Sequence, residues 1–303
     1  MSTTDNALGS VELLPGSVRA AVLERDGGVR HLVEATFDPS VPGAVRDTLT
    51  DVVQRCFTFH RVTGIGVACP GLVDTVAGTV VSCYDLPELN DFPLTSVVSA
   101  SGRAPAYVEH RARLQVLGDR WFGHGRGRRE FASVSTGETL GVGLLYEGRI
   151  IAPPGGRSGA HMVVAADGEV CTCGATGCWR TVATSRWLRD AAARSGYAAG
   201  DLPTLTEMAE AGESRAAHLL DDYADNLALG LANIQQLFAP GRFILHGEAR
   251  WAGPAFLDRI ERRLRAVTAW NAEAEPPHVL VADVDEDDST LLGAAGLVLS
   301  QAS

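Results

Sequence analysis

The densest group of reactive side chains in this sequence is His161, Cys171, Cys173 and Cys178, spaced His-x9-Cys-x-Cys-x4-Cys. One imidazole and three thiols make a full tetrahedral donor set for Zn2+. Gly174 and Gly177 let the backbone turn sharply enough for the sulfurs to converge. Four protein donors leave no position for water or substrate, so the spacing predicts a structural zinc rather than a reactive one. On residue types alone two other readings stay open: buried free thiols beside a core histidine, or a disulfide, although cysteines one residue apart pair badly. Cys56, Cys69 and Cys83 lie in apolar stretches and are expected to be core thiols. That usage fits a reducing compartment and a cytoplasmic protein.

The elements that must hold these groups follow from pattern. A chain of 303 residues suits two domains better than one core. Apolar, β-branched runs predict strands over 11–14, 18–23 and 29–37, with turns at Pro15-Gly16 and Asp26-Gly27-Gly28. A helical period places Val45, Leu49, Val52, Val53 and Cys56 on one face of a helix over 42–59. Strands are expected over 64–68, 79–83 and 105–109, a helix over 112–121, and strands over 131–135 and 141–145. Beyond the cysteines come helices over 179–193, 205–211, 215–238, 254–267 and 291–299, with short strands at 243–245 and 279–281. Strands grouped with helices, twice over, indicate an α/β protein of two lobes.

Charge and composition exclude several classes. A net charge of −11 argues against a nucleic-acid partner. No apolar stretch is long enough to cross a bilayer, and the first residues lack the basic-then-apolar pattern of a leader. All 26 basic residues are arginine, which removes Schiff-base chemistry and a lysine-centred phosphate loop.

Read with its surroundings, the cysteine cluster resembles the motif of the ROK family of repressors, open reading frames and sugar kinases. Gly64-Ile-Gly-Val-Ala-Cys-Pro-Gly-Leu-Val-Asp74 is similar to the family's Gly-Ile-Gly-x-x-x-Pro-Gly-x-x-Asp, and Glu109-His-Arg-Ala-Arg113 stands in the place of its Glu-Asn-Asp-Ala-Asn. Gly137 to Gly141 stands in the place of a second glycine loop, and residues 240–249 in that of a late glycine run. The resemblance implies an actin-like ATPase (ribonuclease H-like) fold of two α/β lobes with a zinc-binding loop, and a homodimer. It implies an N-terminal lobe over 1–110, completed by a C-terminal helix over 290–303. A second lobe over 111–289 would carry the zinc motif and the dimerisation surface. With the first strand starting near residue 11, the DNA-binding winged helix of family repressors is expected to be absent.

Against that pattern the sequence departs at the positions that the resemblance makes functional. Arg111 stands where the family has its catalytic aspartate, and a guanidinium cannot accept a proton. Leu13 stands at the metal-associated carboxylate of the first phosphate loop, with Glu12 expected on the opposite face of the strand. Glu138 enters the second loop, where a carboxylate about 4 Å from a phosphate charge would cost about 4 kcal/mol without an intervening cation. His246-Gly-Glu248 keeps one glycine of the late run. These departures predict loss of ATP-dependent sugar phosphorylation, and argue against ATP and Mg2+ as cofactors.

The cleft implied by the family is then expected to hold His110, Arg111 and Glu109 as an acid/base site. Asp85, Arg113, Glu138, Ser158, His161 and Arg180 would contact a small polar or anionic, sugar-like metabolite, since arginine suits carboxylate or phosphate. Internal ion pairs between these arginines and Glu109, Asp85 or Glu138 are the competing expectation. A repurposed enzyme is the function expected first. A non-catalytic ligand-binding or regulatory pseudokinase, and a divergent ATP-dependent sugar kinase, are the alternatives.

Overall fold

The computed structural model describes residues 7–151, 159–268, 276–284 and 286–301. It divides into two compact units. Of the described residues, 7–127 and 286–301 belong to the first, and 128–151, 159–268 and 276–284 to the second.

The first unit is a five-stranded sheet with helices on both faces. Its strands are β1 (Leu8–Leu14), β2 (Ser17–Leu23), β3 (Val29–Thr36), β4 (Ile65–Cys69) and β7 (Ala106–His110), in the order β3-β2-β1-β4-β7. β1 to β3 form an antiparallel meander, and β4 and β7 run parallel to β1. A hairpin of β5 (Leu72–Asp74) and β6 (Thr79–Ser82) follows β4, its turn closed by the Asp74 carboxylate, which accepts from the Val76 and Ala77 amides. Side chains alternate across the sheet. Val11, Leu13, Val67, Cys69 and Val108 join one apolar core with Leu49, Val52 and Val53 of α1 (Ala44–Phe57) and with Leu94 and Val98 of α2 (Leu94–Gly102).

The opposite face carries α3 (Arg111–Phe122) and α8 (Glu286–Gln301), where approach is close. A Cβ at Gly66 would lie 1.9 Å from the Ala294 carbonyl oxygen, and one at Gly293 would lie 2.3 Å from that of Leu114. The hydroxyl of Ser10 donates to the Leu291 carbonyl at 2.7 Å. Close packing on α8 assigns α3 to the first unit, so the division expected at residue 110 falls instead after Gly127.

The second unit repeats the strand order. Its strands are β8 (Phe131–Thr136), β9 (Gly141–Tyr146), β10 (Arg149–Ile150), β11 (Arg242–Gly247) and β12 (His278–Val281), ordered β10-β9-β8-β11-β12. β8 to β10 are antiparallel, and β11 and β12 run parallel to β8. Its helices are α4 (Ser185–Arg194), α5 (Leu202–Glu210), α6 (Ser214–Phe238) and α7 (Gly253–Thr268). The buried stripe of α6, from Ala216 through Tyr223 and Leu227 to Leu231, is the spine of this core. Among the described residues, no helix is long and apolar enough to cross a membrane.

The helix expected over 179–193 is two pieces. A 3-10 turn over Trp179–Thr181 precedes α4, and the Ser185 amide donates to the Gly137 carbonyl at 2.9 Å where α4 begins.

Candidate functional site

Residues that the sequence singled out gather at the ends of the parallel strands of each unit, where open α/β sheets bind ligands. In the first unit Glu12, Ala68 and Glu109 are in register across β1, β4 and β7 and share one face. The two carboxylates are both buried, with Glu12 only 1% exposed. α3 starts directly after β7, and its first turn supplies their counter-charges. Arg111 Nε donates to Glu12 Oε1 at 2.9 Å, and Arg113 Nη1 donates to Glu109 Oε1 at 3.3 Å. Arg19 Nη1 reaches Glu12 Oε2 at 3.4 Å. Burial raises the Glu12 carboxyl above its ordinary range, with the Arg111 charge as the main opposing influence.

Two expectations are corrected here. Leu13, not Glu12, points away into the apolar core, so a carboxylate remains at this end of β1. The arginines do not make an open cationic site, because Arg111 and Arg113 are spent on Glu12 and Glu109. Glu109 Oε1 also accepts from the His110 amide at 2.7 Å. His110 caps α3, its Nδ1 accepting from the Ala112 amide at 3.2 Å. Burial first, and then Arg113 and Arg111, lower its pKa to about 4. The imidazole is therefore neutral near pH 7, with Nδ1 committed to the Ala112 amide. Asp85 is exposed in the segment after β6.

In the second unit the Thr136 hydroxyl joins the ends of β8 and β11, donating to the His246 carbonyl at 2.6 Å and accepting from the Ala249 amide at 2.9 Å. Gly137, at φ 127°, lets the chain pass Glu248, since a Cβ there would meet Glu248 Cγ at 3.2 Å. Glu138 is paired with Arg189 of α4, and that contact holds its pKa below the ordinary carboxylate range. The cation that the sequence reading lacked is therefore in place, and the repulsion expected from Glu138 is offset. Tyr223 of α6 is fully buried between Trp187 and Phe256, and burial raises its pKa, with Glu248 and Glu138 adding to the effect. Nothing in the sequence marked Arg189 or Tyr223, which become visible only once α4 and α6 are placed.

The ligating atoms of His161, Cys171, Cys173 and Cys178 all lie within 4.8 Å of one another, and this group could hold a metal ion. Cys171 Sγ to His161 Nδ1 and Cys173 Sγ to Cys178 Sγ are each 3.6 Å. A tetrahedron with Zn–S near 2.3 Å and Zn–N near 2.0 Å has edges of about 3.5–3.8 Å, so the donor set fits. The loop is built for this convergence. Gly174 and Gly177 have φ of 89° and 71°, and a Cβ at Gly177 would lie 1.6 Å from the Ala165 carbonyl. Trp179 follows at once, fully buried, its indole N–H donating to the Asn226 carbonyl of α6 at 2.8 Å. Arg180 is half-buried beside it. Ser158 lies outside the described residues.

Comparison with known proteins bears on what these sites serve. The ROK family profile matches residues 10–301. Glucokinase of Thermotoga maritima is 28% identical over 95% of this chain and 96% of its own length. A putative xylose repressor of Caldicellulosiruptor is 28% identical over 80% of the chain, which spans 64% of the repressor. Among solved structures, the ROK hexokinase of Thermus thermophilus superposes with a TM-score of 0.82 at 22% identity, covering 98% of this chain and 99% of its own. A ROK glucokinase of Streptomyces griseus, in complex with glucose and AMPPNP, gives 0.77 at 24%, covering 97% and 100%. The expectation of lost kinase chemistry, and the repurposed-enzyme and pseudokinase readings built on it, are overturned by the end-to-end likeness to a glucokinase. The argument against ATP as a cofactor falls with them. With the family profile matched over nearly its whole length, the chain belongs to the ROK family.

Proposed function

We propose that this protein is an ATP-dependent sugar kinase with a hexose as acceptor. The observation that carries the reading is the alignment with a glucokinase over 95% of one chain and 96% of the other. Two features of the sites support it. Glycine-bearing strand ends of the second unit, at Gly137 and Gly247, suit phosphate groups, and a buried carboxylate stands at the end of β1 in the first. Arg111 stays protonated, so the sugar hydroxyl must give its proton to another group. Glu12 is that group in this proposal, and Arg111 is its positioning residue. A carboxyl raised by burial suits base catalysis better than an ordinary one.

A zinc held by His161, Cys171, Cys173 and Cys178 would be structural, fixing the loop that leads into Trp179. The protein would act in the cytoplasm. A homodimer is supported by Leu237 and Phe238, which stay exposed at the end of α6 with the Phe238 ring against Tyr146.

The test is ADP release with a panel of aldohexoses, read by a coupled assay. Turnover with at least one sugar is expected. Glu12→Gln should lower kcat by about 10²–10⁴-fold with a smaller change in KM. Absence of turnover by the wild-type chain with every sugar sinks the kinase reading; unchanged kcat in the variant sinks only the role given to Glu12.

A further inference from the structure

The first unit has a concavity away from the strand ends described above, on the α1 side of its sheet. Its volume is about 300 Å³, and it is lined by Val22, Arg30, Phe59, His60 and Arg61. Val22 is the last but one residue of β2, Arg30 the second of β3, and Phe59 to Arg61 follow the last turn of α1. The imidazole of His31 lies against that of His60, with ring centroids 4.7 Å apart and planes at 36°. Glu24 takes one nitrogen of Arg30 at 2.5 Å. Arg61 is exposed and makes no hydrogen bond or ion pair among the described residues. Phe59 is 90% exposed beside it.

In a protein of net charge −11 this is a concentration of cationic and N–H donor groups, with one carboxylate near it. A free guanidinium fork matches the oxygens of a phosphate, and the His60 imidazole adds an N–H donor. An exposed aromatic ring offers a face to whatever the phosphate carries. The volume is at the small end for ligand pockets, room for a phosphorylated sugar and not for a dinucleotide. We propose that this pocket binds a small phosphate monoester, its phosphate on Arg61, Arg30 and the His60 imidazole, which His31 backs, and its organic part against Phe59. The proposal does not depend on the kinase reading, since none of these residues belongs to the sites described above. A plainer role exists for the same cations, because positive charge after α1 complements the negative end of the helix.

Histidine ring NMR of the full chain, titrated at constant ionic strength with inorganic phosphate and with glucose 6-phosphate, separates the two. Saturable shifts of the His31 and His60 signals are expected, with glucose 6-phosphate the tighter ligand. Arg61→Ala should weaken both at least about tenfold, the loss of one charge-assisted contact, and leave the melting temperature and any turnover as they were. Phe59→Ala should remove the preference for the sugar phosphate. Shifts that match those in chloride, or an Arg61→Ala variant that binds as well as wild type, overturn the proposal. A lowered melting temperature with no phosphate response assigns these cations to the helix end and overturns it equally.

Discussion

At the scale of single residues, the ion pairs decide how this site reads. Arg111 in the place of an aspartate looked like the end of base chemistry, yet its partner is a glutamate buried at the end of the neighbouring β1. His110 shows the same dependence on surroundings. Its pKa lies at about 4, below the ordinary 6.5, because burial and two arginines oppose the charged form. The unfolded chain therefore takes up the proton first. Stability conferred by the neutral His110 should be complete above about pH 6.5 and be lost as pH falls towards 4, by no more than about 3 kcal/mol. His110→Asn keeps a capping side chain and removes the titration. Urea unfolding at pH 7 should then change by less than about 1 kcal/mol, while the loss of stability between pH 6.5 and 4 becomes shallower. An unchanged acid limb would show that His110 is not its source. Legibility at this scale divides in a physical way. The metal-ligand set was readable because spacing along one short loop defines it. Glu12 was misplaced by one residue of strand phase, and alternation across a sheet turns such a slip into the wrong face. Arg189 was invisible because it meets Glu138 only through the fold.

At the scale of elements, the loop from His161 to Cys178 leaves Val163 and Val170 exposed and depends on its donors. Without a cation, burial and the neighbouring thiols push Cys178 up to about 12, so three thiolates cannot share this space. Binding of the ion should therefore appear as stability of the second unit. Chelation, or Cys173→Ser, is expected to lower the melting temperature by roughly 5–10 °C, a loss of about 2–3 kcal/mol, with loss of bound zinc by elemental analysis. Zinc-free protein that melts with the native protein would exclude a structural ion. Most strands and long helices were legible from periodicity, and α2 was not. Leu94 to Gly102 is rich in serine, threonine and valine, poor helix formers. Tertiary contact makes it a helix: Gly102 lies where a Cβ would sit 2.3 Å from Ile65.

At the scale of the whole molecule, the two units share one strand order but differ in how the chain supplies them. The described residues of the second all fall between 128 and 284, whereas the first takes residues 7–127 and waits for α8. Gly66 and Gly293 mark the seam. Gly66→Ala places a methyl into the Ala294 backbone and should cost about 1–3 kcal/mol or more by overpacking. Gly28→Ala, at an exposed turn where the methyl meets only the Asp26 carboxylate at 3.3 Å, should cost less than Gly66→Ala. Urea midpoints of the two variants check this, and equal midpoints would mean that α8 does not pack as described.

That seam has a temporal side. On the ribosome the chain emerges from its amino end, at about 5–20 residues per second. The meander that begins at Leu8 leaves the tunnel before the helix that packs on Ser10, Gly66 and Gly118, which follows every other element described. The first unit must therefore wait for α8, its glycine-floored groove open until residues 286–301 emerge. A nascent chain stalled before residue 286 should be cut readily by protease in β1 to β4, and become resistant once the sixteen residues of α8 have emerged.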